Sequence, residues 1–392
     1  MPFDRRVWQE SKALTDAGWN VTVICPRGTT RDTEPFDVIE GVEIHRYPLT
    51  AASGGPLGYV REYTTALWRM RRIAFRLART KRFDVVHACN PPDLLLPAVR
   101  GLKRHGAAFI FDHHDLVPEL YESRFARGRD MLYRRTVAVE RVTFRLADVV
   151  ISTNGSYRDV ALERGGKRAE DVFVVRSAPD LQRFQPAPAD ASLKRGREHL
   201  IAYLGVMGPQ DGIDHALRAL AALKERRRDW YATFIGAGDV LPAMQRLAVE
   251  LGLAEDTEFT GRIPDEDVRR ILSTADVGLA PDPKNPLNDV STMNKILEYM
   301  AMSRPTVAYD LVEARVSAGE AALYADANDE RSFAQQIDTL LDDPELRTRM
   351  GAAGRERIET GLSWDASTRE LLRAYDRALE KKRVRSRLPN QA

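Results

Sequence analysis

Residues 281–310 read PDPKNPLNDVSTMNKILEYMAMSRPTVAYD, and this stretch decides the fold. It has three parts. A loop rich in Pro and Asn, too poor in apolar residues to form core, comes first. Ser291 then stands at a predicted N-cap before a helical pattern that sets Met293, Ile296, Leu297 and Met300 on one face. Pro305 stops the helix, and Thr306, Val307, Ala308 and Tyr309 read as a short buried strand. On this reading the N–H groups of Thr292, Met293 and Asn294 have no intrahelical acceptor, and such a helix end is a site for phosphate. Lys295 adds a full positive charge, and Glu298, one turn on, can accept hydrogen bonds from a sugar or ribose hydroxyl. An ordinary capped helix crossing over a parallel sheet would carry the same signals.

Short apolar strands alternate with helices on both sides of this unit. The first set is Asn20–Pro26, Gly41–Tyr47, Phe83–Cys89, Ala107–Asp112, Asp148–Ser152 and Val172–Val175; the second is His199–Gly205, Trp230–Gly236, Thr257–Thr260, Val277–Ala280 and Ala322–Tyr324. The alternation implies parallel sheets covered on both faces. Between the sets, 180–198 is rich in Pro, Asp and charge and reads as a linker. The predicted division is therefore a first domain over 1–185, a linker over 186–198, a second domain over 199–363, and a terminal helix and tail over 364–392. A helix over Arg6–Gly18, with Val7, Trp8 and Leu14 near one side, opens the chain with no strand ahead of it. Doubly wound sheets begin with their central strand, so the first strand is expected to be missing through a late start or a truncation, leaving two unpaired edges. The alternative is a variant that lacks this strand.

A chain of 392 residues has room for two ordinary domains. No run of about 18 apolar residues reads as a spanning helix, and MPFDRRVWQE lacks the apolar core of a signal peptide. Cys25 and Cys89, read as buried thiols, offer neither a disulfide framework nor a metal cluster and suit a reducing cytoplasm. The net charge of +2 is uneven: residues 51–145 carry 18 Lys/Arg against 9 Asp/Glu. No helix-turn-helix or aromatic-rich RNA signature accompanies this basic region, so no nucleic-acid partner is expected. An anionic membrane surface accounts for it. The predicted helix Tyr59–Arg82 sets Tyr63, Leu67, Met70, Ala74 and Leu77 in one apolar stripe, with Trp68 and Phe75 among the arginines. Arg124, Arg127, Arg129, Arg134 and Arg135 extend the charge.

Six further strand-end or loop positions carry candidate chemistry. Leu204–Gly212 (LGVMGPQDG) joins a strand to a helix with three glycines, which lets backbone approach a phosphate closely. Gly236-Ala237-Gly238-Asp239 is a second such turn. Asp265-Glu266-Asp267 has a D-x-D spacing but sits just after Pro264 at a helix start, where acids favour the dipole, so no metal is expected there. Phe111–Leu116 (FDHHDL) lies at a strand's C-terminal end, where open α/β sheets bind ligands, and Asn90-Pro91-Pro92-Asp93 ends a neighbouring strand. Arg176 follows a further strand end and reads equally as a phosphate contact or a surface residue.

The 281–310 segment resembles the donor-binding signature of the family-four retaining glycosyltransferases of GT-B architecture. In that family a Glu, seven residues and a second Glu run into an A-M-A-x-G-x-P-V-V-A tail. Glu298-Tyr299-Met300-Ala301 and Arg304-Pro305-Thr306-Val307-Ala308 match this end, with Glu298 as the second Glu and Val290, beside Asn288 and Asp289, at the first. The resemblance implies an α/β GT-B fold: two Rossmann-like parallel-sheet domains facing a cleft, with the acceptor on the first and the nucleotide sugar on the second. It implies donor contacts at Gly205, Met207, Gly208, Gly236, Gly238, Arg262, Ile263, Asn288, Asp289, Ser291, Thr292, Met293, Asn294 and Glu298. His114, Lys295 and Glu298 are the implied catalytic group, and Asn90, Asp93, His113 and Asp115 face the acceptor. Where the family's glycine loop carries Arg and Lys for the diphosphate, this chain has Val206 and Asp211. The implied activity is a metal-independent hexosyltransferase without a cofactor, moving sugar from a nucleotide-diphosphate donor to a glycan or lipid-linked acceptor in polysaccharide or glycolipid synthesis. Its implied place is cytoplasmic or peripheral on the inner membrane face. A nucleotide-sugar epimerase and a non-catalytic GT-B binding protein are the alternatives.

Overall fold

The computed structural model describes residues 4–28, 32–49, 55–91, 93, 96–125 and 128–387. The strands, in chain order, are β1 (Thr22–Pro26), β2 (Phe36–Ile39), β3 (Val42–Tyr47), β4 (Val85–Cys89), β5 (Ala108–His113), β6 (Val149–Ser152), β7 (Val172–Val174), β8 (His199–Leu204), β9 (Trp230–Ile235), β10 (Thr257–Gly261), β11 (Val277–Ala280), β12 (Thr306–Tyr309) and β13 (Ala322–Ala325). The chain divides into two compact units, 1–118 with 127–176 and 367–392, and 119–126 with 177–366.

The second unit is built on one six-stranded sheet of order β10-β9-β8-β11-β12-β13 with every neighbour parallel. Its four central strands, β9, β8, β11 and β12, are buried on both faces, which is why they read as continuous apolar runs rather than alternating ones. The order reverses between β8 and β11, and ligands bind such sheets at this switch point, outside the carboxyl ends of the strands. Tyr299, fully buried on the helix Asn294–Ala301, ties the two strands together. Its hydroxyl accepts from Leu204 N–H at 2.8 Å and donates to the Leu279 carbonyl at 3.0 Å. The 180–198 stretch is held down on this unit: Ser273 accepts from Ala187 N–H and Thr274 from Asp190 N–H, each at 2.9 Å.

The first unit's strands form two sheets rather than one. β4-β5-β6-β7 is parallel throughout, while β1 pairs parallel with β3 and β2 returns antiparallel. Among the described residues no strand bridges β1 and β4, and both are half-buried apart from the exposed Pro26, unlike the fully buried β5 and β6. Cys25 and Cys89 lie on these two end strands and are half-buried rather than buried as expected. The strand expected to be missing ahead of the first helix would fall before residue 4, outside the described residues. The antiparallel β2 and the helices Val117–Phe125 and Val312–Ala318 have no counterpart in the sequence reading. The terminal helix Trp364–Arg387 groups with this unit from residue 367, through Arg377 and Lys381 on Asp171 and Arg385 on Asp148.

The helix predicted over Tyr59–Arg82 runs Gly55–Leu77. Trp68 is 59% exposed, with Arg72 over its ring. Phe75 is different. Its ring lies where a Cβ on Gly101 would stand, only 1.9 Å away, so it packs on the helix Leu96–Arg104 and leaves the solvent face to Trp68. Arg127 lies outside the described residues.

Candidate active site

Three loops meet at the switch point of the second unit: 205–212 after β8, 236–240 after β9, and 281–293 after β11. Glycine makes the meeting possible. A Cβ on Gly236 (φ 137°) would lie 1.8 Å from the Gly205 carbonyl oxygen, and one on Gly212 (φ 67°) would lie 2.0 Å from that of Pro281. No side chain fits either space. Gly238 likewise abuts the Met207 backbone.

Lys295 enters this junction from below, its Cε 3.3 Å from a Cβ built on Gly205. Its ammonium, 7% exposed, lies 2.6 Å from Asp282 Oδ1 and 3.9 Å from Asp211 Oδ1, and 5.2 Å from the Tyr203 ring centroid. Burial alone would lower the lysine pKa; the Asp282 and Asp211 charges outweigh it and hold the pKa above the usual value. Lys295 is therefore the charge partner of two carboxylates rather than the unshared cation the sequence implied. Asp282 Oδ2 is buried without a hydrogen-bond partner.

The helix start also differs from expectation. Helical residues begin at Asn294 with Met293 as N-cap, two residues later than a Ser291 cap would place them. Ser291 instead closes a short 3-10 turn over Asn288–Val290 and donates its hydroxyl to the Leu287 carbonyl at 2.7 Å. Asn285 Oδ1 accepts from Leu287 N–H and Asn288 N–H and holds the start of that turn, which lies in the stretch read as loop, while Thr292 and Met293, read as helical, stay outside the helix. Ser291 and Thr292 thus precede the helix, and Glu298 is half-buried one turn inside it. Asn288 is 3% exposed, and its amide donates to the Gln210 and Pro283 carbonyls at 2.9 and 2.8 Å, stitching two loops together. Asp289 accepts from Val312 N–H at 3.0 Å at the start of the helix Val312–Ala318. Neither stands in for the absent first Glu. Met207 is fully buried in the core and its N–H donates to Ala237. Arg262 is exposed at the end of β10, while Ile263 packs on the cluster around Phe184 and Ile271. In the D-x-D stretch, Asp265 pairs with Arg183, and Asp267 lies 3.3 Å from Arg270.

In the first unit the acidic and basic groups gather at the C-terminal end of β5. Strand periodicity sends Phe109, Phe111 and His113 to one face and Asp112 to the other. His113 is fully buried, edge-on to Phe144 at 5.0 Å, with Nε2 3.3 Å from Glu140. This corrects its placement on the acceptor side: it is a core histidine. His114 does join a polar site. Its Nε2 lies 2.6 Å from Asp112 Oδ2 and 2.7 Å from Arg6 Nε, and Arg6 reaches Asp112 Oδ1 at 3.0 Å and the Val175 carbonyl at 2.6 Å. Burial works against a charged imidazole, yet the Asp112 charge prevails and raises the His114 pKa. The Asp112 carboxyl is held well below the usual range: its burial is outweighed by Arg6 and His114.

Glu10, one turn along from Arg6 and 3.1 Å from it, is 2% exposed. Burial, then the Asp112 charge, push its pKa up to about 7. His87 bonds Asp112 Oδ2 at 3.2 Å and the Tyr375 hydroxyl at 3.0 Å. Asn90 positions the loop that follows: Oδ1 accepts from His114 N–H at 2.7 Å and Asp115 N–H at 3.1 Å, and Nδ2 donates to Asp93 at 2.7 Å. Burial raises the Asp93 pKa to about 7 and also raises that of Asp115. Arg6, Glu10, Asp112 and Asp282 were not among the sequence candidates. An i, i+4 Arg–Glu pair on an amphipathic helix, and carboxylates at the ends of β5 and β11, were the available signals.

Two Rossmann-like α/β units, each with a parallel sheet and loops gathered at the carboxyl ends of its strands, define the GT-B class of two-domain proteins. Residues 4–178 match the glycosyl transferase 4-like domain, and residues 198–343 match glycosyl transferases group 1. The chain belongs to this family and is a glycosyltransferase. It is 25% identical to a glycogen synthase of Mycobacterium tuberculosis over 395 aligned residues, covering 95% of this chain and 90% of the relative. Among solved structures, sucrose-phosphate synthase from Thermosynechococcus elongatus superposes with a TM-score of 0.78 at 21% identity, covering 96% of this chain and 93% of that one. An Anabaena protein, HepE, solved with UDP-glucose, gives 0.65 at 15% identity with 86% of each chain covered.

Proposed function

We propose that the chain transfers a hexose from a nucleotide-diphosphate donor, with retention, to a glycan or lipid-linked acceptor of a surface polysaccharide or glycolipid. The observation that carries this reading is the switch point between β8 and β11. There two loops, the start of the Asn294–Ala301 helix, buried Lys295 and Glu298 lie outside the carboxyl ends of parallel strands, where doubly wound sheets take nucleotides. The UDP-glucose complex of HepE supports the donor class. In the reaction the acceptor oxygen bonds to the anomeric carbon as the bond from that carbon to the diphosphate breaks. The acceptor's proton passes to the departing diphosphate, so the protein needs no base of its own and acts by positioning and by stabilising leaving-group charge. We assign no metal and no cofactor to the reaction.

We further place the enzyme in the cytoplasm, peripheral on the inner membrane face. The exposed Trp68 among Arg61, Arg71, Arg72 and Arg76 supports this, since an aromatic beside cations suits a lipid interface. Incubation with radiolabelled UDP-, GDP- and dTDP-sugars, with and without membrane lipid extract, tests the whole reading. Label transferred to lipid or glycan, with the donor's anomeric configuration, is expected. Donor that remains intact throughout would point to a binding protein, and epimerised donor to an epimerase.

A further inference from the structure

The glycine loop after β8 is closed by its own side chain. Its N–H groups point inward: Gly205 donates to Ile235, Met207 to Ala237, and Gly208 to Asp211 Oδ2 at 2.9 Å. The space over Gly208 is walled in, with Gln210 and Asp211 side-chain atoms 2.9–3.0 Å from where a Cβ would stand. Asp211 Oδ1 lies 3.9 Å from Lys295, the buried ammonium of the site. A carboxylate that takes a loop N–H and faces the buried ammonium occupies the position of an anionic ligand.

We propose that Asp211 is an internal stand-in for the donor's phosphate, which must turn out before a nucleoside diphosphate can bind at the β8 and β11 loops. The inference rests on the donor site proposed above and adds a residue that sets its affinity. Asp282 cannot play this part. It is 1% exposed and fixed on Lys295 at 2.6 Å, whereas the Asp211 side chain is 17% exposed and stands 3.9 Å from the ammonium. With Asp211 in place, one ammonium serves two carboxylates, and an incoming diphosphate meets excess negative charge. With Asp211 turned out, the Gly208 N–H and one face of Lys295 become available to phosphate oxygen. Discrimination between a nucleoside and its diphosphate is then weakened by Asp211, and the donor is bound at the cost of displacing it.

Calorimetric titration of UDP, GDP, ADP and dTDP, each beside its parent nucleoside, into the full chain and into Asp211→Asn tests this. Asparagine keeps an acceptor for Gly208 N–H and removes the charge; Asp211→Ser and a thermal melt guard against a folding defect. The diphosphate that the wild type prefers should bind at least tenfold more tightly to Asp211→Asn, with its nucleoside unchanged. Equal or weaker diphosphate binding in both folded variants, beside measurable wild-type binding, would overturn the stand-in and leave the donor site standing. No binding of any nucleotide to any form would overturn the donor site and this inference together.

Discussion

Each unit gathers buried charge at the carboxyl ends of its parallel strands, and the two do so with opposite balance. Around β5 the Arg6 guanidinium and the His114 imidazole, whose pKa is raised by Asp112, face Asp112 and Glu10. Around β8 and β11 a single Lys295 faces Asp282 and Asp211. The first cluster is close to neutral and locked through several partners per group, so it holds an imidazole in one orientation. The second is short of a cation, and its outermost carboxylate stands where the loop would meet an anion. Buried ions persist only when paired and hydrogen-bonded, and breaking one partner costs more than the pair itself contributes. The first cluster should therefore behave as structure and the second as a binding site.

The sharpest way to break that contrast is Asp112→Ala. It removes the carboxylate that buried Arg6, His114 and His87 share and leaves Arg6 only Glu10 as an acidic partner, so a loss of roughly 3–5 kcal/mol in denaturant unfolding is expected, together with loss of transfer. Stability near wild type would mean that Arg6 finds another partner. Lys295→Ala comes next, at about 3 kcal/mol, because Asp282 is left buried and unpaired. Adding Asp282→Asn should recover most of that stability but none of the turnover, a coupling that a double-mutant cycle reads directly.

A smaller effect separates the clusters by pH. Glu10 titrates near 7 in the folded protein against 4.5 as its ordinary value. A carboxyl raised in this way contributes stability fully below the unfolded pKa and loses it as pH rises through the folded one. The melting temperature should fall between pH 5 and 8, and Glu10→Gln should flatten that fall by a few degrees without abolishing it, since Asp93 is raised to about 7 as well. A slope identical to wild type would remove Glu10 from the account. The smallest effect on folding belongs to the surface. Trp68→Ala should change stability by no more than about 0.5 kcal/mol yet weaken flotation with anionic vesicles several-fold at low salt. Phe75→Ala should instead cost about 2 kcal/mol, because its ring packs on Gly101.

Much of the fold was legible because parallel strands buried on both faces are plain apolar runs: β11 and β12 run from the same first to the same last residue as the reading placed them. β2 was missed because its burial alternates between exposed and half-buried on an antiparallel edge, which leaves little apolar pattern to see. The first helix shows a different failure. Val7 and Trp8 pack half-buried on the Val42 and Ile44 cluster and Leu14 is buried, as its sequence set them, yet the pattern gave no sign that Arg6, Glu10 and Ser11 are buried too. Hydrophobicity cannot report a face whose burial depends on charge partners that lie 106 residues away, as Asp112 does from Arg6.

The sequence by itself determined the class: alternating strands and helices, glycine turns at strand ends, and the 281–310 segment with its helix and strand. Those signals are local, set by backbone propensity and by side-chain period. Tertiary structure decided what each polar residue does. Only it could show that His113 faces the core while His114 faces Arg6, and that Asn288 joins two loops. Lys295 reads in sequence as a charge awaiting phosphate and stands in the fold between two carboxylates. Charge acts through space, and the partners that set its meaning are brought together by the sheet rather than by their order in the chain.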